Sequence, residues 1–214
     1  MEIAIIDYGI GNLRSAEKAF QHIGLDAALT SDPAALATAG KIVLPGVGNF
    51  GECMAALRAS GFIAPLLEAV REKKPLLGIC VGLQMMFEGS EECPEEIGLG
   101  LLKGRVRRFN GAPFSDDDAS HQRLKIPQIG WNSLDFPAVK HALFSDIEPG
   151  SHVYFVHSYY AQPADETDLL ASANYGGAFC AAAGRENVMG VQFHPEKSQI
   201  VGLHLLRNFG ALPG

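Results

Sequence analysis

The stretch Leu76–Phe87 reads LLGICVGLQMMF and combines an apolar run with a cysteine that glycines flank on both sides. The apolar residues before Cys80 suit a buried β-strand, and the residues from Gly82 onward suit a helix. Gly78 and Gly82 stand two positions before and after the cysteine. A sharp turn from strand to helix would crowd side chains at these two positions, which favours glycine there. The pattern therefore predicts a strand, a tight turn that carries Cys80, and a helix.

Outward from this stretch, the first half of the chain alternates between apolar strands and amphipathic helices. Further strands are predicted in EIAII (2–6) and KIVLPGVG (41–48), and helices in 13–24, 51–74 and 82–90. The helical segment 51–74 should break at Gly61 or Pro65. Such alternation is typical of parallel βαβ units, whose apolar strands are buried on both faces.

The second half is richer in strands. They are predicted in 104–109, 153–162, 169–175, 178–184 and 188–193, before a closing helix in 198–209. The polar stretch 110–123 is expected to be an exposed loop. We therefore expect a single doubly wound α/β domain over residues 1–214. It should have a mostly parallel central sheet flanked by helices, with extra antiparallel strands in the second half.

Composition and charge exclude several classes of function. The 214 residues carry a formal net charge of −7, which argues against non-specific nucleic-acid binding. There is no apolar run long enough to span a membrane and no basic segment typical of a signal peptide at the N-terminus. The four cysteines show no zinc-ligand spacing, and Arg14 interrupts any dinucleotide fingerprint after GIGN. We expect a cytoplasmic protein with no metal, no cofactor and no membrane association.

Cys80 is a candidate nucleophile because functional groups gather beyond the carboxyl ends of strands in such sheets. The helix N-terminus that follows would favour a thiolate, and its free N–H groups could hold an oxyanion. The alternative is a small buried cysteine at the end of a core strand, with glycines that serve tight packing. The pentapeptide GICVG alone leaves both interpretations open.

The segment GVQFHPEKSQ (190–199) supplies a partner for this cysteine. His194 and Glu196 are two positions apart, so an extended backbone places them on the same face. Glu196 could then orient the imidazole while His194 activates Cys80, as in other catalytic triads. The alternative is a polar turn with a structural histidine, but the pairing with a cysteine turn favours catalysis.

The segments GICVGLQMMFEGSEE and GVQFHPEKSQ resemble the two signatures of class I glutamine amidotransferases. Further segments are similar to the glutaminase subunits of imidazole glycerol phosphate synthases, which act in histidine biosynthesis. These segments cover nearly the whole chain and are IIDYGIGNLRSAEKAF, LPGVGNFGECMAALR, IPQIGWNSL, YFVHSYY and FHPEKSQIVGLHLLRNF. The stretch 110–123 is the least similar.

The resemblance implies roles for individual residues. Cys80 would attack the side-chain amide of L-glutamine and release ammonia, with His194 as base and Glu196 as its orienting group. The expected oxyanion positions are Val81, Val47 and Gly48. The expected substrate-binding positions are Gln84, Glu92, Ser158 and Tyr159. An ordinary solvent-facing helix residue is the alternative at Gln84, and His157 is expected to be structural.

The resemblance also implies a partner, a cyclase or synthase subunit with a (β/α)₈ barrel that forms a heterodimer with this chain. No barrel segment follows within the 214 residues, so we expect the partner on a separate chain. The expected interface positions are Gly9, Gly11, Asn12, Trp131, Asn132 and Tyr154. Two alternatives are the amidotransferase subunit of another pathway (pyridoxal phosphate, purine or anthranilate synthesis) and a non-catalytic scaffold subunit. A cysteine hydrolase on a related fold is a further alternative, which the His-Pro-Glu element disfavours.

Overall fold

The computed structural model describes residues 1–115 and 123–213 and centres on a mixed sheet. In chain order the strands are β1 (Ile3–Ile6), β2 (Ala27–Thr30), β3 (Lys41–Gly46), β4 (Leu76–Cys80), β5 (Gly104–Arg108), β6 (Gln128–Ser133), β7 (His152–His157), β8 (Tyr159–Pro163), β9 (Leu169–Asn174), β10 (Ala178–Arg185) and β11 (Val188–Val191). Within the described residues, seven of them form the central sheet in the order β2-β1-β3-β4-β11-β10-β9. The first five strands in this order are parallel, and β10 and β9 extend the sheet antiparallel.

The helices are α1 (Leu13–His22), α2 (Phe50–Ala59), α3 (Ile63–Arg71), α4 (Val81–Met85) and α5 (Gln199–Ala211). The Asn49 side chain caps α2 by accepting hydrogen bonds from two backbone N–H groups of its first turn. Helices α2 and α3 meet at 90°, and the break contains Gly61, whose φ is +77°. The break therefore falls at the first of the two positions that the sequence indicated.

Burial follows the apolar runs. Every residue of β1, β4 and β11 is buried, as expected for parallel strands with both faces covered. Among the described residues, no single helix is both long and apolar enough to cross a membrane; α2 and α3 meet that length and hydropathy only as a bent pair.

The expected α/β class is confirmed, with a mostly parallel central sheet, flanking helices and extra antiparallel strands. Two local predictions were wrong. The predicted strand 153–162 is two strands that separate at Ser158, because β7 pairs with β6 whereas β8 pairs with β5. The predicted helix 82–90 ends at Met85, because the Met85 carbonyl accepts from the N–H of Leu99 instead of continuing the helix. Strands β2 and β6 were not predicted, and residues 116–122 of the predicted loop 110–123 lie outside the described residues.

The topology brings three predicted segments to one edge of the sheet. In the register of the sheet, Gly46 at the end of β3 lies opposite Cys80 at the end of β4. On the other side, Val191 at the end of β11 lies opposite Ile79. The carboxyl ends of these parallel strands therefore place 45–48, 80–82 and 192–196 next to one another.

Candidate active site

Cys80 occupies a strained backbone turn between β4 and α4. Its φ is 56° and its ψ is −113°, a combination that residues other than glycine rarely adopt. An added Cβ on Gly82 would lie 1.9 Å from the carbonyl oxygen of Leu44, and one on Gly78 would lie 2.7 Å from the backbone nitrogen of Leu83. The flanking residues are therefore glycines because the backbone of α4 passes too close to the sheet for a side chain.

His194 and Glu196 lie beside the cysteine as a hydrogen-bonded pair. Nδ1 of His194 is 2.8 Å from Oε1 of Glu196, and their side chains are 4% and 2% exposed. Burial lowers the pKa of His194, but hydrogen bonds and charge interactions with Cys80 and Glu196 outweigh burial and raise that pKa to about 9. The site thus favours a protonated imidazole, which Glu196 holds beside the sulfur of Cys80.

A pocket of about 350 Å³ lies over the cysteine, a volume within the usual range for small-molecule sites. Cys80 and His194 line it, whereas Glu196 does not. The residues expected at oxyanion and substrate positions also line it, and these are Val47, Gly48, Val81, Gln84, Glu92, Ser158 and Tyr159. The structure therefore gathers the expected substrate positions around one thiol.

Gln84 is a buried residue with both side-chain hydrogens engaged, rather than a solvent-facing helix residue. Its Nε2 donates to the carbonyl oxygen of Tyr159 and to Oε1 of Gln192, each at 3.0 Å. Its Oε1 is the atom that remains to accept from a ligand. Glu92 is half-buried, and its Oε2 accepts from the N–H of Phe50 at 2.8 Å. Both side chains can offer an acceptor oxygen to an ammonium group in the pocket.

The expected oxyanion positions lie on two elements. Val81 is the first residue of α4, so its N–H has no acceptor within the helix. The Val47–Gly48 peptide is anchored on its carbonyl side, because the thiol of Cys53 donates to the Val47 oxygen at 3.3 Å. In a planar trans peptide the N–H points opposite to the C=O, so the Gly48 N–H faces away from Cys53.

A second donor, the Tyr8 hydroxyl, anchors the same segment from the other end. It donates to the Pro45 oxygen at 2.8 Å. Burial raises the pKa of Tyr8 and of Cys53, so both groups stay protonated and able to donate. The Gly46–Val47 peptide lies between the two anchored carbonyls of Pro45 and Val47. The backbone is therefore held by a hydrogen bond on both sides of the Gly46–Val47 peptide.

His157 lies in an aromatic cluster at the wall of the pocket. Its ring is 5.1 Å from that of Phe109, and its nitrogens are 2.8 Å from the Tyr159 oxygen and 3.0 Å from Oε1 of Gln128. Burial lowers the pKa of His157 to about 4, so the ring is neutral at neutral pH. These contacts suit the expected structural role. In the described part of the chain, no group of three or more His, Cys, Asp or Glu side chains could hold a metal ion.

Comparison with known proteins identifies the family of this chain. The profile of the family "Glutamine amidotransferase class-I" matches residues 4–211. The chain belongs to the class-I glutamine amidotransferases. This amidotransferase is 51% identical over 210 residues to the imidazole glycerol phosphate synthase subunit HisH of Syntrophotalea carbinolica, with 97% of this chain and 98% of that relative covered. It is 47% identical to the subunit of the same name from Geobacter sulfurreducens, with 99% of each chain covered.

Solved structures share the fold of this amidotransferase at low sequence identity. A crystal structure described as a glutamine amidotransferase has a TM-score of 0.72 at 19% identity, covering 99% of this chain and 100% of the other. The structure of PurLQS from Thermotoga maritima has a TM-score of 0.73 at 18% identity, covering 97% and 96%. At these identities the likeness shows the fold alone.

Two of the segments expected to face a partner contact the segment that carries His194 and Glu196, and the third packs against one of these two. Asn12 donates from Nδ2 to Oε1 of Glu196 at 3.3 Å, and the Tyr154 oxygen accepts from the His194 N–H at 3.0 Å. The ring of Trp131 packs edge-on against that of Tyr154, with 5.9 Å between centroids, and Trp131 is 46% exposed.

The other three expected interface positions differ in exposure. Gly9 is exposed, and Gly11 is partly buried at the turn before α1. The Asn132 side chain is already used within the fold, because it donates to the Asn174 oxygen at 2.8 Å. Trp131 therefore offers more side chain to a partner than Asn132 does.

Three residues at the site of this amidotransferase escaped the sequence analysis, namely Gln192, Tyr8 and Cys53. Gln192 could have been found, because the alternation that places His194 and Glu196 on one face places Gln192 there too. Tyr8 and Cys53 had no such signal. Tyr8 follows β1 and reaches the 45–48 segment because β1 pairs in parallel with β3. Cys53 lies on α2 and reaches it because α2 packs beside that segment.

Proposed function

We propose that this chain is the glutaminase subunit of an imidazole glycerol phosphate synthase, and that Cys80, His194 and Glu196 are its catalytic triad. The observation that carries the proposal is the buried Glu196–His194 pair beside a cysteine on a strained turn, at the floor of a pocket. The names of relatives that are 47% to 51% identical over nearly the whole chain support the choice of enzyme.

The geometry supports acyl transfer from a side-chain amide. The Cys80 thiolate would attack the amide carbon of L-glutamine, and the N–H groups of Val81 and of the 47–48 segment would bind the developing oxyanion. Protonated His194 would give its proton to the leaving nitrogen, so ammonia departs and a γ-glutamyl thioester remains. His194 would then take a proton from water, which attacks the thioester and releases glutamate. Glu196 would hold the imidazole in one tautomer throughout.

The polar groups of the pocket suit the amino-acid end of glutamine. Glu92 and the free oxygen of Gln84 would accept from the α-ammonium group. Ser158 and Tyr159 line the same wall and could bind the α-carboxylate through backbone or side chain. A ligand without these charged groups would forfeit such contacts, so simple amides should be poor substrates.

We place the partner on the face formed by Gly9–Asn12, Trp131 and Tyr154. This face touches the His194–Ser198 segment, so a docked subunit would contact the support of the triad. Two exposed apolar side chains extend this face, since the Ile129 residue is 63% exposed and the Ile200 residue is 82% exposed. The partner would be a (β/α)₈-barrel synthase subunit that receives the ammonia.

The proposal includes the domain boundaries and the compartment. We treat residues 1–214 as one amidotransferase domain, which the single contiguous cluster of buried apolar residues supports. All four cysteines of the chain fall in the described ranges and none is paired, as suits the reducing cytoplasm. A non-catalytic scaffold subunit would have no need of a strained cysteine turn with a supported histidine.

The test is glutamine turnover by the purified chain with and without the barrel synthase subunit and its nucleotide substrate. We expect low activity for the chain alone and a large rise in the complex, because docking would turn an N–H of the 47–48 segment toward the substrate and so complete the oxyanion hole. Each well-placed oxyanion donor is worth roughly 10²–10³ in rate. The matched control is the complex with the Cys80→Ala chain, which should form but produce no ammonia. Full activity of the chain alone, unchanged by the partner, would contradict the proposed coupling. Absence of glutamine turnover both with and without the partner would contradict the proposed glutaminase activity.

A further inference from the structure

Gln192 is fully buried immediately beside the candidate nucleophile. None of its surface is exposed, and its own N–H is fixed to the Ala181 oxygen at 2.8 Å. Its side-chain Nε2 lies 3.7 Å from Sγ of Cys80, a distance suitable for a hydrogen bond to sulfur. An amide presents either a donor or an acceptor to its neighbour, and only the nitrogen can donate to the sulfur.

The hydrogen-bond network allows only one orientation. The Tyr159 carbonyl oxygen is a pure acceptor, so the atom of Gln84 that faces it at 3.0 Å must be the NH₂ group. The second hydrogen of that NH₂ group then points at the side chain of Gln192, which must present its oxygen, also at 3.0 Å. With its oxygen turned to Gln84, Gln192 directs its NH₂ group at Cys80. The orientation is thus set by a backbone carbonyl two side chains away.

We propose that Gln192 is a further catalytic residue of this glutaminase, whose side-chain N–H donates to the Cys80 sulfur and stabilises the thiolate. The role follows from burial, since Cys80 is only 4% exposed and a sulfur anion there has little access to water. Hydrogen bonds to an ionised acceptor are roughly twice as strong as those between neutral groups. The bond therefore favours the thiolate over the thiol and over the thioester. Gln84 is the positioning residue that orients Gln192.

The inference rests on the proposed function, but its test does not need glutamine. Iodoacetamide alkylates a thiolate: the sulfur forms a bond to carbon, and iodide leaves with the electron pair. The measurement is the rate of Cys80 alkylation over a series of pH values, followed by mass spectrometry of the peptide that contains it. Cys93 is partly exposed in the same chain, and its alkylation rate is the internal control.

Two variants remove the donor in different ways. Gln192→Met has a similar length and Gln192→Leu has a similar volume, and neither has a side-chain N–H to offer. At pH values where the thiol is the main form, we expect each to slow alkylation of Cys80 by about tenfold, equivalent to about 1.4 kcal/mol, at an unchanged rate for Cys93. Gln128→Leu is the matched control, because it removes a buried amide that contacts His157 rather than Cys80. Its Cys80 rate should stay within twofold of the wild-type rate.

The result that would overturn the proposal is a Cys80 alkylation rate within twofold of wild type in both Gln192 variants at every pH of the series. An equal slowing in Gln128→Leu would also overturn it, because the effect would then come from the loss of any buried amide near the pocket rather than from the lost N–H beside Cys80. Glutamine turnover is measured in parallel. If the wild type shows no turnover but the alkylation pattern holds, the proposed function fails while the contact between Gln192 and the thiolate stands.

Discussion

Substitution of Gly82 by alanine tests whether the close approach of α4 to the sheet is required. The added Cβ would lie 1.9 Å from the Leu44 carbonyl oxygen and 3.0 Å from the Leu44 carbonyl carbon. Real Cβ atoms essentially never come closer than 3.0 Å, so α4 must move by about 1 Å. The backbone of Leu44 cannot move instead of α4, because Leu44 lies within β3 and pairs with Gly78 of β4 in the sheet.

We expect Gly82→Ala to lower the free energy of unfolding by about 3 kcal/mol, the upper part of the range for overpacking in a close-packed core. Urea unfolding followed by circular dichroism measures this quantity. Activity should fall as well, because the displaced helix carries the Val81 N–H and the Gln84 side chain.

Gly51→Ala is the matched control, since Gly51 also lies in the first turn of a helix. There the nearest atom to the added Cβ is Sγ of Cys93 at 2.9 Å, the end of a side chain that can rotate. Alanine is also favoured over glycine in helices by about 1 kcal/mol, so this variant should unfold within about 1 kcal/mol of wild type. If Gly82→Ala were as stable as Gly51→Ala and fully active, the packing explanation for the glycine would be refuted.

Three further substitutions test the site. His194→Ala should reduce kcat for glutamine by several orders of magnitude. Glu196→Gln should reduce it by fewer, because the carboxylate orients the base without transferring the proton. Equal losses in the two variants would contradict these roles. Glu92→Gln should raise KM for glutamine by about 10- to 100-fold, the cost of one charged hydrogen bond, and steady-state kinetics would show an unchanged KM if Glu92 does not bind substrate. The folded-state pKa of His157 is about 4 against 6.5 unfolded, so its contribution to stability is present above pH 6.5 and is lost as the pH falls toward 4. Between pH 7 and 4.5, wild type should therefore lose about 2 to 3 kcal/mol more unfolding free energy in urea than His157→Phe, and parallel losses would argue against a buried neutral ring.

Much of the fold was predictable because its signals are local. The apolar run into a glycine-flanked cysteine indicated a strand, a turn and a helix, and the structure has β4, Cys80 and α4 in that order. The spacing of His194 and Glu196 indicated two side chains on one face, and they form the pair at 2.8 Å, although a 3₁₀ turn over Pro195–Lys197 replaces the expected extended backbone. Both patterns depend on neighbours in sequence, so no knowledge of tertiary contacts was needed.

The features that escaped prediction depend on pairing between distant segments. The break at Ser158 exists because β7 and β8 join different two-stranded sheets, which the apolar run through 153–162 does not reveal. The contact between Asn12 and Glu196 joins residues 184 positions apart, and that between Tyr8 and Pro45 joins residues 37 apart. Such contacts are set by the order of strands in the sheet, which sequence periodicity alone does not determine.

The most direct test of the central claim is to trap the covalent intermediate on Cys80. The complex with the barrel synthase subunit is mixed with L-glutamine, quenched in acid within one turnover, digested and analysed by mass spectrometry. The account predicts a γ-glutamyl adduct on the peptide that contains Cys80. No adduct should appear on Cys53, Cys93 or Cys180, and none anywhere in the Cys80→Ala complex. Glutamate and ammonia formed at the normal rate by the Cys80→Ala complex, or an adduct on another residue, would contradict it.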